Sequence, residues 1–222
     1  MRSYKLYLLR HGMVRDNLEG RYVGSQDPDL CEEGVAQLVE LRDKYEYPGV
    51  GRVYSSPMKR CVETARLLYP EQTPVTVSEL RDCGLGKFEG HTVEELRSDP
   101  TFRKWMEDAA VTTPEGGETL ADFRDRIVSG LDAVIRDIMR DGVSEAVLIT
   151  HGGVISTLLA ECGMPRRSVA EWPVDSGCGY TLQIGAYLWS TSRLVEVFTP
   201  VPYGWNQESV MLDYQRGLPE AD

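Results

Sequence analysis

This chain has no long apolar run. Its uninterrupted hydrophobic stretches are strand-length, far short of the roughly 20 residues that carry a helix across a bilayer. Basic side chains are in the minority, 24 Lys and Arg against 35 Asp and Glu, for a formal charge of −11. Such a surface repels nucleic acid and anionic lipid, so neither nucleic acid nor a membrane is an expected partner. Paired cysteine spacing is missing too. Cys31, Cys61, Cys83, Cys162 and Cys178 are odd in number, scattered, and contain no C-x-x-C. The pattern argues against a disulfide framework or a zinc ribbon and for a reducing compartment. No signal-peptide-like segment precedes the first strand, so a cytoplasmic location is expected. Repeats, low-complexity tracts and a recognisable linker are also absent. At 222 residues and 41% hydrophobic content, one domain with a sizeable core fits best.

What is present alternates between strand and helix. Lys5 to Leu9 reads as a strand buried on both faces, Glu32 to Lys44 as an amphipathic helix, and Val50 to Tyr54 as a second strand. Ser56-Pro57 reads as an N-cap and first helical position, opening a helix that runs to about Tyr69. Val75 to Val77 is a third strand, and Thr92-Val93-Glu94-Glu95 a capping box before a short helix. Residues 99–118 look irregular and end in Pro114-Glu115-Gly116-Gly117. A long helix then runs from Leu120 to about Arg140. Ala146 to Ile149 is the most hydrophobic strand, and Val154 to Cys162 a helix stopped by Gly163. Tyr180 to Ile184 and Leu194 to Phe198 complete the set, with an edge position for the last. This order predicts a three-layer α/β/α sandwich, its sheet mostly parallel and covered by helices on both faces. An insertion at about 91–119 is placed to act as a lid or specificity element. The tail from about residue 205 to 222 either is disordered or packs against a second subunit in a homodimer.

Two strands end alike, in Leu9-Arg10-His11-Gly12 and Thr150-His151-Gly152-Gly153. A third, Val53-Tyr54-Ser55-Ser56, feeds a helix with Arg60 in its first turn. Ligands of such sheets bind beyond the carboxyl ends of the strands. If these strands are neighbours, two histidines and two arginines converge at one rim. Converging cations in an acidic chain call for an anion, and guanidinium forks match phosphoryl oxygens in pairs. A neutral imidazole is a competent nucleophile toward phosphorus. Gly12, without a Cβ, would let the backbone approach the phosphate. A carboxyl must protonate the leaving alcohol, and Asp82, just beyond the third strand, is the best-placed candidate.

These residues carry a resemblance. Arg10-His11-Gly12 with Asn17, Leu18 to Tyr22 and Gly24, and Glu32-Glu33-Gly34 resemble the histidine phosphatase superfamily, which includes the cofactor-dependent phosphoglycerate mutases. So do Tyr54 to Ala65, Leu80-Arg81-Asp82, Gly116-Gly117-Glu118 and Thr150 to Gly153. The blocks span most of residues 4 to 155 in the family's order. The resemblance implies a phosphoglycerate mutase-like fold, with His11 as the residue that becomes phosphorylated and His151 and Asp82 as its catalytic companions. It implies that Arg10, Asn17, Arg60 and Gly152 hold the phosphate, and that neither metal nor cofactor is needed. Asp82 stands where the family commonly has glutamate. One methylene shorter, it must sit closer to the leaving group.

The expected reaction is hydrolysis of a small phosphomonoester through phospho-His11, with ribazole phosphate or a sugar phosphate as candidate substrates. A phosphoglycerate mutase is the nearest alternative, but only about 27 residues separate Gly90 from Glu118, where mutases carry a longer insertion. A metal-dependent hydrolase with His11, His151 and Asp82 as ligands is disfavoured by the adjacent cation of Arg10. A non-catalytic phosphate-binding or regulatory module is the remaining alternative. His91 reads as an ordinary residue at a helix entry, with the leaving group as its other possible neighbour. Arg15, Arg21 and Arg81 read as solvated or ion-paired.

Overall fold

The computed structural model describes residues 3–205. The chain begins with strand β1 (Ser3–Arg10), a short helix α1 (Arg15–Leu18) and helix α2 (Glu32–Lys44). Strand β2 (Arg52–Ser55), helix α3 (Lys59–Leu68) and the two-residue strand β3 (Val75–Thr76) follow. Short helices α4 (Val93–Leu96) and α5 (Pro100–Glu107) precede the long helix α6 (Leu120–Asp141), strand β4 (Glu145–Thr150) and helix α7 (Gly152–Cys162). Strands β5 (Gly163–Met164) and β6 (Gly179–Gly185), helix α8 (Ala186–Ser192) and strand β7 (Val195–Val201) complete the order.

The seven strands among the described residues join one sheet in the order β3-β2-β4-β1-β6-β7-β5. The β1–β4, β4–β2, β2–β3 and β5–β7 pairs are parallel, while β6 runs antiparallel to both β1 and β7. Period-2 alternation along β1 divides the core. Leu6 and Leu8 pack with Ile127, Leu131 and Leu158 of α6 and α7. Tyr7 and Leu9 pack with Leu38, Cys61 and Ala65 of α2 and α3. Helices therefore cover both faces, as expected for the three-layer sandwich. A smaller cluster of Phe88, Leu96 and Phe102, with Tyr22 and Trp105 against it, holds the 91–119 segment.

Three local expectations are corrected. Helix α3 starts two residues after Pro57, with Met58 at its cap, because Ser56 is drawn into the site instead. The stretch expected to be irregular contains α5, whose first turn is capped by Asp99 with Pro100 directly behind it. The strand ending the chain's order is not at the edge: the short β5 lies outside β7, starting at Gly163 in extended backbone. The capping box at Thr92 forms as expected, with Thr92 Oγ1 accepting from Glu95 N–H at 3.2 Å and Glu95 accepting from Thr92 N–H at 3.0 Å. Among the described residues no helix is long and apolar enough to cross a membrane. The tail expected to be disordered or to pair with a second subunit lies, beyond residue 205, outside the described residues.

Candidate active site

Strand order brings the predicted residues together. β1 lies beside β4 with Arg10 opposite Thr150, and the ladder extends one step, His11 N–H donating to Thr150 O at 2.9 Å. β4 lies beside β2, where Ser56 N–H donates to Ile149 O. The His11 and His151 rings consequently sit 5.2 Å apart, centre to centre.

His11 is only 3% exposed. Its Nδ1 lies 2.6 Å from the Gly12 carbonyl, which can only accept, so Nδ1 carries the proton and Nε2 the lone pair. Arg60 Nε–H points at that lone pair from 3.2 Å. Burial, reinforced by Arg10 and then Arg60, holds the His11 imidazole well below its usual range and therefore neutral. His151, equally buried, faces Ser56 Oγ at 2.8 Å through Nε2 and Asp82 Oδ2 at 3.5 Å through Nδ1. Burial, then His11 and the arginines, also push it down. Asp82 moves the other way: burial raises it above the ordinary carboxyl value despite the pull of Arg60 and Arg10.

Arg60 is fully buried and uses four of its five N–H donors. Besides His11 it donates to Gln26 O at 2.7 Å, Gly24 O at 3.1 Å and Asp82 Oδ2 at 3.2 Å. Arg10 donates to Val174 O at 2.8 Å, but its buried Nε has no hydrogen-bond partner among the described residues. A buried orphan donor of this kind asks for an acceptor. The space beside it is kept open by Gly152, where a Cβ would lie 3.4 Å from Arg10 Nε. Gly152 also begins α7, so that helix's free N–H groups face the same mouth. Asn17 Oδ1 accepts from Val14 N–H at 3.1 Å, and the residue lines the same cavity. It therefore caps its own loop and borders the site.

Gly12 is reinterpreted. A Cβ there would come within 2.6 Å of Leu38 Cδ1, so its bareness serves packing of the loop onto α2, not access for an anion. His91 is exposed, with Nδ1 against Glu89 O at 3.1 Å, and does not line the cavity. Arg15 pairs with Glu33, Arg81 with Glu118, and Arg21 with Glu19 and Glu95. Arg21 nevertheless lines the cavity. Sequence reasoning missed Ser56 as the partner of His151 and Tyr22 and Trp105 as wall residues. A serine before Pro-Met-Lys reads as a cap, and only the neighbouring strand shows otherwise. Among the described residues no group of three or more His, Cys, Asp or Glu is placed to hold a metal ion.

The cavity over these groups is about 660 Å³. Its walls add Leu85, Trp105, Leu120 and Phe123 to Arg10, His11, Asp82 and Gly152. A neutral imidazole lone pair, surrounding guanidinium groups and a carboxyl shifted toward its acid form can together transfer a phosphoryl group.

Comparison with known proteins agrees. A family model described as the histidine phosphatase superfamily (branch 1) matches residues 6–196. The chain belongs to that superfamily and is a phosphatase of the histidine type. It is 32% identical, over 81% of its length and 82% of the relative's, to a glucosyl-3-phosphoglycerate phosphatase of Mycolicibacterium vanbaalenii. It is 27% identical, over 81% of its length and 90% of the relative's, to an adenosylcobalamin/alpha-ribazole phosphatase of Escherichia coli. The fold matches that of the alpha-ribazole phosphatase from Shigella flexneri with a TM-score of 0.72 at 24% identity, covering 88% of this chain and 95% of the other.

The two neutral histidines give the fold a pH dependence. Because their folded values lie below 6.5, the unfolded chain binds more protons as pH falls past that point. Stability is therefore expected to fall below about pH 6.5, by about 1.4 kcal/mol per pH unit for each histidine. Asp82 has the opposite sign: its folded value lies above 3.8, so the native state keeps a proton that the unfolded chain has lost. Its contribution strengthens the fold as pH falls toward that range. Urea midpoints between about pH 8 and pH 5 should decline. A flat profile would count against neutral, buried imidazoles.

Proposed function

We propose that this phosphatase hydrolyses a small phosphomonoester through a phosphohistidine on His11, with Asp82 as acid and base. The observation that carries this is the neutral His11 Nε2 lone pair held among Arg10, Arg60 and His151, with an unsatisfied Arg10 Nε beside it. In the first step Nε2 attacks phosphorus, the ester P–O bond breaks, and the Asp82 carboxyl gives its proton to the departing oxygen. The Gly12 carbonyl, bonded to Nδ1–H, stabilises the positive ring that forms. In the second step Asp82 takes a proton from water, the water oxygen attacks phosphorus, and the P–N bond breaks. Neutral His11, protonated Asp82 and phosphate are restored. Arg10, Arg60, His151 and the α7 N-terminus stabilise the phosphoryl oxygens throughout, with Gly152 making the room.

The walls support a substrate class. About 660 Å³ is ample for a leaving group much larger than glycerate. Tyr22, Leu85, Trp105, Leu120 and Phe123 offer it apolar and aromatic surface. Apart from Arg10, the only cation on the wall among the described residues is Arg21, which two glutamates already neutralise. The leaving alcohol is thus an uncharged one with an aromatic or apolar part, such as the aromatic base on ribose of ribazole phosphate. The 91–119 segment, which contributes Trp105, Ala109, Pro114 and Glu118, is the specificity element. All five cysteines are free thiols, which supports a reducing, cytoplasmic setting.

Rapid quench with a labelled phosphomonoester should trap an acid-labile, alkali-stable phosphoprotein, and failure to trap one would remove the covalent mechanism. In a panel, kcat/KM for ribazole phosphate should exceed that for phosphoserine or a glucosyl phosphoglycerate by more than about tenfold. The reverse order would sink the assigned substrate class and leave the covalent mechanism standing.

A further inference from the structure

We infer that Glu118 and Arg126 form a clamp that positions Asp82 for proton transfer, an inference resting on the acid role given to Asp82 above. Arg126 comes from the second turn of α6, is only 11% exposed, and uses all five of its N–H donors. Nε donates to Glu118 Oε1 at 2.8 Å and Nη2 to Glu118 Oε2 at 2.6 Å, a two-pronged match of fork and carboxylate. The other donors bind backbone: Nη1 reaches Glu79 O at 2.5 Å and Arg81 O at 2.9 Å, and Nη2 reaches Asp82 O at 3.2 Å. The remaining carbonyl in that run, Leu80 O, accepts from Thr150 Oγ1–H at 2.9 Å, one residue before His151. Side chains thus grip four consecutive carbonyls, at 79 to 82.

The run so gripped is the one that carries the proton donor. Peptide orientation sets where the Asp82 Cβ points, and a short aspartate has little rotameric reach with which to compensate. Glu118 links this run to the cavity wall. Its N–H donates to Gly84 O at 2.8 Å, and its Oε2 accepts from Gly84 N–H at 3.4 Å. Gly117, immediately before it, packs so closely that a Cβ would lie 2.9 Å from Gly84 O. The acid and the wall that meets the leaving group are therefore held as one unit. Lysine cannot replace Arg126, because one ammonium cannot face three carbonyls and a carboxylate at once.

Leaving-group dependence distinguishes positioning from simple structural support. With nitrophenyl phosphate the departing phenolate needs little protonation, whereas an alkyl phosphate needs the acid. Arg126→Lys is expected to lose about 10²-fold in kcat/KM on the alkyl ester and under about fivefold on the nitrophenyl ester. Glu118→Gln, which retains one acceptor oxygen and the same shape, should show the same pattern more weakly. Asp82→Asn provides the reference, and the Asp82→Asn/Arg126→Lys double variant should be no worse than Asp82→Asn on the alkyl ester. Equal losses on both esters, or additive losses in the double variant, would overturn the clamp. If Asp82→Asn itself shows no leaving-group dependence, the acid assignment fails and the clamp with it. If only the Arg126 and Glu118 variants lack that dependence, the clamp alone fails.

Discussion

His11→Ala is expected to lose turnover by a factor on the order of 10⁴ or more, because no other group can carry the phosphoryl intermediate. His151 cannot take over: its Nε2 is occupied by Ser56 Oγ, and its Nδ1 faces Asp82. Cys83 lines the cavity, but burial pushes its thiol up to about 12, leaving no thiolate to substitute. Binding should persist, since Arg10, Arg60 and the α7 N-terminus remain. The variant should therefore still be stabilised against heat by inorganic phosphate while failing to form a phosphoprotein. Activity within about tenfold of the parent would exclude His11 as the nucleophile.

Arg60→Met is the second large effect, and it reaches stability, rate and pH profile together. The guanidinium is wholly buried and joins the Gly24 and Gln26 carbonyls, Asp82 and His11 Nε2. Methionine fills similar volume but leaves these acceptors without a donor and Asp82 without its cation. Breaking a buried pair from one side costs about 3–5 kcal/mol. Loss of a preorganised donor to the transferring group lowers kcat by about 10²–10³. Arg60 depresses both His11 and Asp82, so removing it raises both. The acid and alkaline limbs of the kcat/KM profile should therefore both move to higher pH. A profile that loses height without moving would show that Arg60 acts only by holding the fold. Arg60→Lys should rescue little, since a single ammonium cannot span contacts that now radiate from three nitrogens.

Much of the reactive end was legible in the sequence because it is built at strand ends. An apolar strand that breaks at Arg-His-Gly places those residues by backbone geometry alone, and parallel neighbours bring two such ends together. Asp82 followed from its position just beyond β3, although its raised pKa depends on burial that no local pattern reveals. Gly12 was misread because a glycine beside a candidate nucleophile suggests room for ligand, whereas the crowding comes from Leu38 on a helix far along the chain. Arg126 was invisible for a similar reason. On α6 it looks like any polar residue of an amphipathic helix, and the backbone carbonyls it binds lie 44 to 47 residues away in sequence. Helix α5 was legible in principle, since Asp99-Pro100 is a cap followed by a proline suited to a first turn. Its aromatic face, Phe102 and Trp105, packs against Phe88 and Tyr22 instead of the main core.

The separation of 5.2 Å between the two imidazole rings is close to the spacing of about 4.8 Å between neighbouring strands. The sheet itself is the gauge for the reaction centre, and no single side-chain replacement can reset it without breaking a ladder of parallel hydrogen bonds. The far walls are under no such constraint, being loops and helix ends that bring in Trp105, Pro114, Val169 and Val174. The architecture is therefore modular. Evolutionary change of substrate, or deliberate engineering of it, can proceed by exchanging wall segments while the strand-end chemistry stays fixed.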